Sequence, residues 1–231
     1  MFKCEFCNKS FKKENTLAVH MCEPKRRHMQ KDDKHVQLGY RSYQLFYKIG
    51  TNSKTDKTYS DFASSAYYGA FVKFGSYCMD LRVDDVPAYT KWLLQNSVKL
   101  DKWASDTHFN KWIKERLKNE SVDRAVERTV LFMHEQADAN GNLWSEYFDT
   151  VPTNLAVFHI CSGKISPWVL YASSKAQSLL DRFNDEQIKL IIDYIDPHYW
   201  QIHMKRKAED FAWVKKLLKQ AHLPTTSLFL K

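Results

Sequence analysis

The sequence predicts a mainly α protein: a small Cys-rich N-terminal module followed by a multi-helix all-α domain. Three observations predict it. Outside the N-terminal module no alternation of apolar and polar residues runs longer than about four positions, so a half-buried strand has no pattern to form from. Six Gly and six Pro in 231 residues are too few for a turn-rich sandwich, and 44% hydrophobic composition argues against disorder. Helix start signals recur along the remainder, each leading into apolar residues at helical spacing.

Residues 2–20 read FKCEFCNKSFKKENTLAVH. Two residues separate Cys4 from Cys7, twelve separate Cys7 from His20, and Phe11 and Leu17 stand between them. The start MFKCEFC has no signal-peptide anatomy, and no apolar run approaches the roughly 20 residues of a membrane span. An intracellular protein without membrane association is expected, in which thiols stay reduced and a Cys cluster means metal. The spacing resembles the ββα zinc finger. That resemblance implies a hairpin carrying Cys4 and Cys7, a helix carrying His20, a miniature core of Phe11 and Leu17, and zinc as cofactor. Some 25 residues cannot bury enough surface to fold alone, and zinc supplies the deficit, on the order of 10 kcal/mol.

The sequence departs from the family at the fourth ligand. A second His or Cys is due three to five residues after the first, where Pro24, Lys25 and Arg26 stand. Cys22 comes early, His28 comes late, and an open position holding water is the third option. On a regular helix His20 and Cys22 point about 200° apart. Pro24 disfavours helical backbone at Glu23, so the helix is expected to end near Met21 and let Cys22 turn back onto the metal.

Net charge is +8, and residues 1–57 hold 13 Lys and Arg against 6 Asp and Glu, whereas the remainder holds 22 against 21. A localised positive field attracts polyanions, nucleic acid first among them. By alignment with the family's helix, Lys13, Thr16 and Val19 take the base-reading positions, of which Lys13 alone suits a guanine edge. Lys12 and Lys13, then Lys25, Arg26, Arg27 and His28, suit phosphate contacts that give affinity and salt dependence with little sequence choice. The alternatives are a solubilising tail or a solvated hinge beside a protein-docking finger.

The domains expected are 1–28, the finger with its basic extension; 29–58, a helix and polar linker; and 59–231, the all-α domain. KHVQLGYRSYQLFYKIG is an amphipathic helix ending at Gly50, with Leu38, Tyr43, Phe46 and Tyr47 on its apolar face. Tyr40 and Tyr43 are core by that pattern, with stacking on unpaired bases as the other option. TNSKTDKT, 51–58, is the linker. Ser60 then precedes one aromatic helix with Phe62, Phe71, Phe74 and Cys78 as core. Asp85, Ser121 and Thr153 precede further helices, Ser166-Pro167 opens WVLYASSKAQSLLDRF, and Asn184 opens DEQIKLIIDYI. Asp196-Pro197 opens a last and longest helix through about His222, with Met204, Ala208, Phe211 and Leu218 inward. Its clusters Lys205, Arg206, Lys207 and Lys215, Lys216, Lys219 read as a solvated face or a second nucleic-acid surface. The apolar tail LPTTSLFLK is free to pack back or to engage a partner.

Catalytic signatures are absent: no phosphate-binding Gly loop, no dinucleotide fingerprint, no nucleophile elbow. DANGN at 138–142 has its Gly too early for a calcium loop and reads as an Asn-Gly turn. His134-Glu135 and Asp84-Asp85 are isolated pairs, and Cys78 and Cys161 are single thiols in apolar stretches. The function expected is a zinc-dependent DNA-binding accessory protein whose helical domain meets a protein partner. A zinc-stapled adaptor between proteins is the first alternative; a nuclease with carboxylates gathered from distant helices is the second. The layout alone resembles small accessory proteins of large tailed bacteriophages, which implies a host-cytoplasm location.

Overall fold

The hairpin opens the chain: β1 (Phe2–Lys3) and β2 (Ser10–Phe11) pair antiparallel, with Phe2 opposite Phe11. The computed structural model describes residues 1–50 and 55–226. Beyond the hairpin the described chain is helical, in two compact units, Met1–Phe109 and Asn110–Lys231. The first four residues of the expected linker, 51–54, lie outside the described residues. No helix among those described is long and apolar enough to cross a membrane.

In the first unit α1 (Glu14–Ala18) and α2 (Glu23–Met29) complete the N-terminal module. Helices α3 (Lys34–Gly50), α4 (Tyr59–Ser64), α5 (Tyr68–Asp80) and α6 (Val86–Gln95) come next. The expected helix ending at Gly50 is there, and it is the centre of the unit, lying against both α5 and α6. Two glycines allow the α3–α5 approach. A Cβ on Gly75 would stand 2.0 Å from the His35 carbonyl oxygen, and one on Gly39 would stand 2.6 Å from that of Phe71. Around this crossing Tyr43, Phe62, Phe71 and Phe74 are buried as expected, and Trp103 collects the rings of Phe46, Phe71 and Phe74 at 6.0, 5.6 and 5.2 Å. Tyr43 is thereby core, and the Tyr40 hydroxyl donates to the Lys57 carbonyl.

The aromatic helix expected from Ser60 is two helices. Thr58 is the cap, with Asp61 closing a capping box around it, and the chain is extended at Ser65 between α4 and α5. The reciprocal pair satisfies two free amide groups at once, which a lone Ser60 does not. Asp85 caps α6 as expected, accepting from the Ala88 amide at 2.9 Å.

Helix α7 (Asp106–Asn119) follows Ser105, whose carbonyl accepts from the His108 and Phe109 amides. Then come α8 (Val122–Asn140), α9 (Tyr147–Thr150), α10 (Thr153–Cys161), α11 (Pro167–Ala172), α12 (Ser174–Leu180), α13 (Asp185–Ile195), α14 (Pro197–Arg206) and α15 (Ala208–Gln220). The Asn-Gly pair forms the C-terminus of α8 instead of a separate turn: Asn140 ends the helix and Gly141 caps it at φ 70°. Thr153 is the first residue of α10, one past its cap.

Two expected helices are broken where tertiary contacts override propensity. Between α11 and α12, Ser173 bridges Thr225, Ser174 donates to the Pro224 carbonyl, and Thr226 donates to that of Ala172. The tail thus packs back through residue 226, with Leu223 buried; 227–231 lie outside the described residues. The expected last helix bends at Lys207, where φ is −116°. The bend lets Trp200 and Met204 on one side and Phe211, Val214 and Leu218 on the other all bury fully. Ala208, at the bend, is exposed instead of inward, and α8 is longer than either piece.

The second unit contains a buried ion pair. Both terminal nitrogens of Arg128 bind the Glu120 carboxylate, with side chains 8% and 7% exposed, and Arg128 Nε donates to the Gly163 carbonyl at 2.7 Å. Removing the carboxylate leaves the Arg128 charge buried and unmatched. Glu120→Gln is expected to cost about 3 kcal/mol of stability, measured by urea unfolding, while Lys114→Gln, at an exposed pair with Asp193, changes it by less than about 1 kcal/mol.

Candidate metal centre

The module places its donors with very little regular structure. Between the strands the Cys4 amide donates to the Lys9 carbonyl and the Asn8 amide to that of Cys4, a turn that requires φ 61° at Asn8. Asn tolerates the left-handed region better than most residues. This turn sets Cys4 and Cys7 on one side of the hairpin end. Helix α1 lasts only five residues, so it ends three positions before the expected Met21. His20 consequently sits just past the helix instead of on it, with its ring against Phe11 at 4.6 Å. The chain then runs extended into Cys22, the N-cap of α2. Pro24 does not end a helix here; it occupies the first turn of a new one, where its missing amide hydrogen costs nothing.

Cys4, Cys7, His20 and Cys22 come together, with one donor atom from each all within 4.8 Å of one another. Cys4 and Cys22 sulfurs are 3.9 Å apart, and Cys7 Sγ lies 3.3 Å from His20 Nε2. A tetrahedral ion with bonds of about 2.3 Å to sulfur and 2.0 Å to nitrogen needs donor separations of about 3.8 and 3.5 Å. The cluster fits a metal ion. Of the three candidates for the fourth position, Cys22 is the one that lies in the cluster; His28 is outside it, its ring paired with Phe6 at 5.1 Å.

The electrostatics differ between the two hairpin thiols. The backbone amide of Cys7 holds the Cys4 thiol below its ordinary range, against the opposing effect of burial, and favours the thiolate that metals take. At Cys7 the Lys9 amide acts downward, but burial and the neighbouring sulfurs of Cys4 and Cys22 outweigh it and push the thiol up. Three sulfurs this close cannot all ionise unless a cation lies among them.

No protein-family model, curated protein or solved structure matches the chain. The chemistry of the site rests on its own residues.

Among the described residues no other group of three or more His, Cys, Asp or Glu side chains brings its donor atoms together. His134 is exposed with its ring against Trp144. Cys78 is buried, with its thiol pushed up to about 12 by burial. Cys161 is half-buried, and burial raises its thiol to about 11.

The basic residues divide into two groups. Lys12, Lys13 and Thr16 are exposed at and along α1, and Val19 ends that helix 82% exposed. On α2, Arg26 pairs with Glu23 in solvent and Lys25 donates to the His20 carbonyl at 3.3 Å. Arg27 is engaged inward: its guanidinium donates to the Ala63 carbonyl at 2.6 Å, pairs with Glu23 at 3.0 Å and lies 4.3 Å from the centre of the Tyr68 ring. The Tyr59 hydroxyl in turn donates to the Arg27 carbonyl at 2.6 Å. Burial, then the Tyr68 hydroxyl, raises the Tyr59 hydroxyl and keeps it neutral. Sequence reasoning missed Phe6 and Tyr59 in this region. Phe6 is one of the two spacer residues between Cys4 and Cys7, and Tyr59 is 36 positions from Glu23 on another helix, so no local pattern links them.

Proposed function

We propose that the chain is a zinc-dependent nucleic-acid-binding accessory protein that grips the phosphate backbone of DNA with little sequence choice. The observation that carries this reading is the convergence of three sulfurs and one imidazole nitrogen inside the most basic part of the chain. Thiolate and imidazole donors in a tetrahedral set suit zinc, and a set closed by four protein donors suits a structural ion. When bound, the ion supplies a cross-link between hairpin, α1 and α2. Phosphates would then meet Lys12 and Lys13 at the start of α1 and Lys25 and Arg26 on α2. A helix of five residues has little length to lay in a major groove, so base reading contributes little beside backbone contacts.

Binding of zinc-loaded protein to labelled duplex DNA tests this between 50 and 200 mM salt, the range over which backbone contacts weaken steeply. Four phosphate contacts give a slope of log K against log salt of about −3.6, and Lys12→Gln with Lys13→Gln brings it to about −1.8. A slope near zero, or no binding, overturns the reading. In that case the alternative is a zinc-stapled adaptor, favoured by the exposed apolar side chains of Val19, Met21 and Met29 on the same module.

A further inference from the structure

A cleft of about 510 Å³ opens between the metal-bearing module and α4, lined among others by Phe6, His28, Lys31, Tyr59, Ser60 and Ser64, and by no carboxylate. Three of its eight lining residues, Phe6, His28 and Tyr59, carry aromatic rings. Phe6 comes from the loop that holds Cys4 and Cys7, His28 from α2, and Tyr59 from the first turn of α4. One cation is set among them, with Lys31 Nζ 5.9 Å from the centre of the Tyr59 ring. Ser60 and Ser64 are among the lining residues, the Ser64 hydroxyl donating to the Ser60 carbonyl. Another cavity, about 310 Å³ in the second unit, is lined by amide, hydroxyl and aliphatic groups with a single ring, Tyr147, and includes no charged side chain. Rings that stack on a planar group, beside an ammonium that meets a phosphate, are the combination by which unpaired nucleotides are held without sequence choice.

We infer that this cleft takes one unpaired base of a single-stranded nucleic acid, with the base against Phe6, His28 and Tyr59 and its phosphate on Lys31. The inference rests on the backbone-gripping reading and deepens it: the partner contains a single-stranded stretch or a flipped-out base, and the module holds it next to its phosphate contacts. The metal enters indirectly. Phe6 lies between two of the ligands, so the ring wall is formed only while the Cys4–Cys7 turn is held.

The test uses the full zinc-loaded chain and three fluorescein-labelled probes: a thymidine 12-mer, an abasic 12-mer with the same phosphates, and a duplex. The 12-mer is expected to bind about tenfold more tightly than its abasic counterpart, the effect of one stacked base. His28→Ala and Phe6→Leu remove that difference, Phe6→Leu leaving duplex affinity within about twofold, and Lys31→Gln weakens the 12-mer and its abasic form alike. Metal content and thermal unfolding of each variant are read alongside, and His28, exposed and outside the metal cluster, provides a variant that folds. Equal binding of the 12-mer and the abasic strand overturns the inference and leaves backbone gripping standing. So does retention of the difference in both His28→Ala and Phe6→Leu. Absence of binding to all three probes overturns both readings together.

Discussion

Cys22→Ser is expected to release the metal and unfold the N-terminal module, whereas His28→Ala keeps one metal ion per chain. The substitution isolates the sulfur. Cys22 is the N-cap of α2, and Ser is a better cap than Cys, so helix initiation is preserved while one of four metal donors is replaced by a poor one. Binding free energy in such a site is folding free energy, on the order of 10 kcal/mol for a complete set, and a hairpin of two-residue strands with a five-residue helix has little else to hold it. Metal-to-protein ratio after gel filtration, and hydrogen exchange over residues 2–29, are the readouts. Full metal retention by Cys22→Ser would remove it from the ligand set. A chelator applied to the native protein should reproduce the exchange pattern of the variant, and restoring zinc should reverse it.

The second large effect is predicted at the crossing of α3 and α5. Gly75→Ala is expected to destabilise the first unit by more than about 3 kcal/mol, at the severe end for a single substitution, and Gly39→Ala by a comparable amount. The added methyl at position 75 meets backbone, the His35 carbonyl at 2.0 Å and the Gly39 amide at 2.8 Å, and backbone of a packed helix cannot rotate away as a side chain can. Relief requires separating two helices whose contact buries Val36, Tyr43, Phe71 and Phe74. Gly69→Ala is the control: it lies on α5, and its new methyl meets nothing within 4 Å. There alanine should gain up to about 1 kcal/mol by helix propensity. Urea unfolding followed by tryptophan fluorescence of Trp103 and its neighbours distinguishes the two, and a neutral Gly75→Ala would contradict the close approach.

What was legible in the sequence was what local chemistry decides. Asp85, Ser166, Asn184 and Asp196 cap their helices through their own side chains within three residues, so a short window contains cause and effect. Cys4, Cys7 and His20 were legible for the same reason, since donor spacing is itself the signal. The helix breaks at Ser65, Ser173 and Lys207 were not. Ser173 is extended because it bridges Thr225, 52 residues on, and nothing around Ser173 announces that strand. The fourth ligand stayed open because donor spacing discriminates only while His20 sits on a regular helix; once α1 stops at Ala18, angular separation on a helix no longer constrains Cys22. Gly39 and Gly75 look like weak points in two separate helices until the pairing of those helices is known. The cleft residues share that difficulty, since Phe6, His28 and Tyr59 meet only through the docking of α2 on α4.

That docking changes how a ligand would meet the protein. Five positions separate Cys22, at the metal, from Arg27, whose guanidinium is fixed to the Ala63 carbonyl and the face of Tyr68. A module on a loose tether would lose orientational freedom each time it engaged a strand and its host together. Here Lys12 and Lys13, just ahead of α1, and the ring-lined cleft would keep a set separation before any strand arrived. On the proposed reading, two weak contacts on one strand would act as a single bivalent one, at the high local concentration that a set spacing provides. Arg27→Ala, at a guanidinium engaged with the Ala63 carbonyl and the Tyr68 ring, would lower affinity by loosening that spacing.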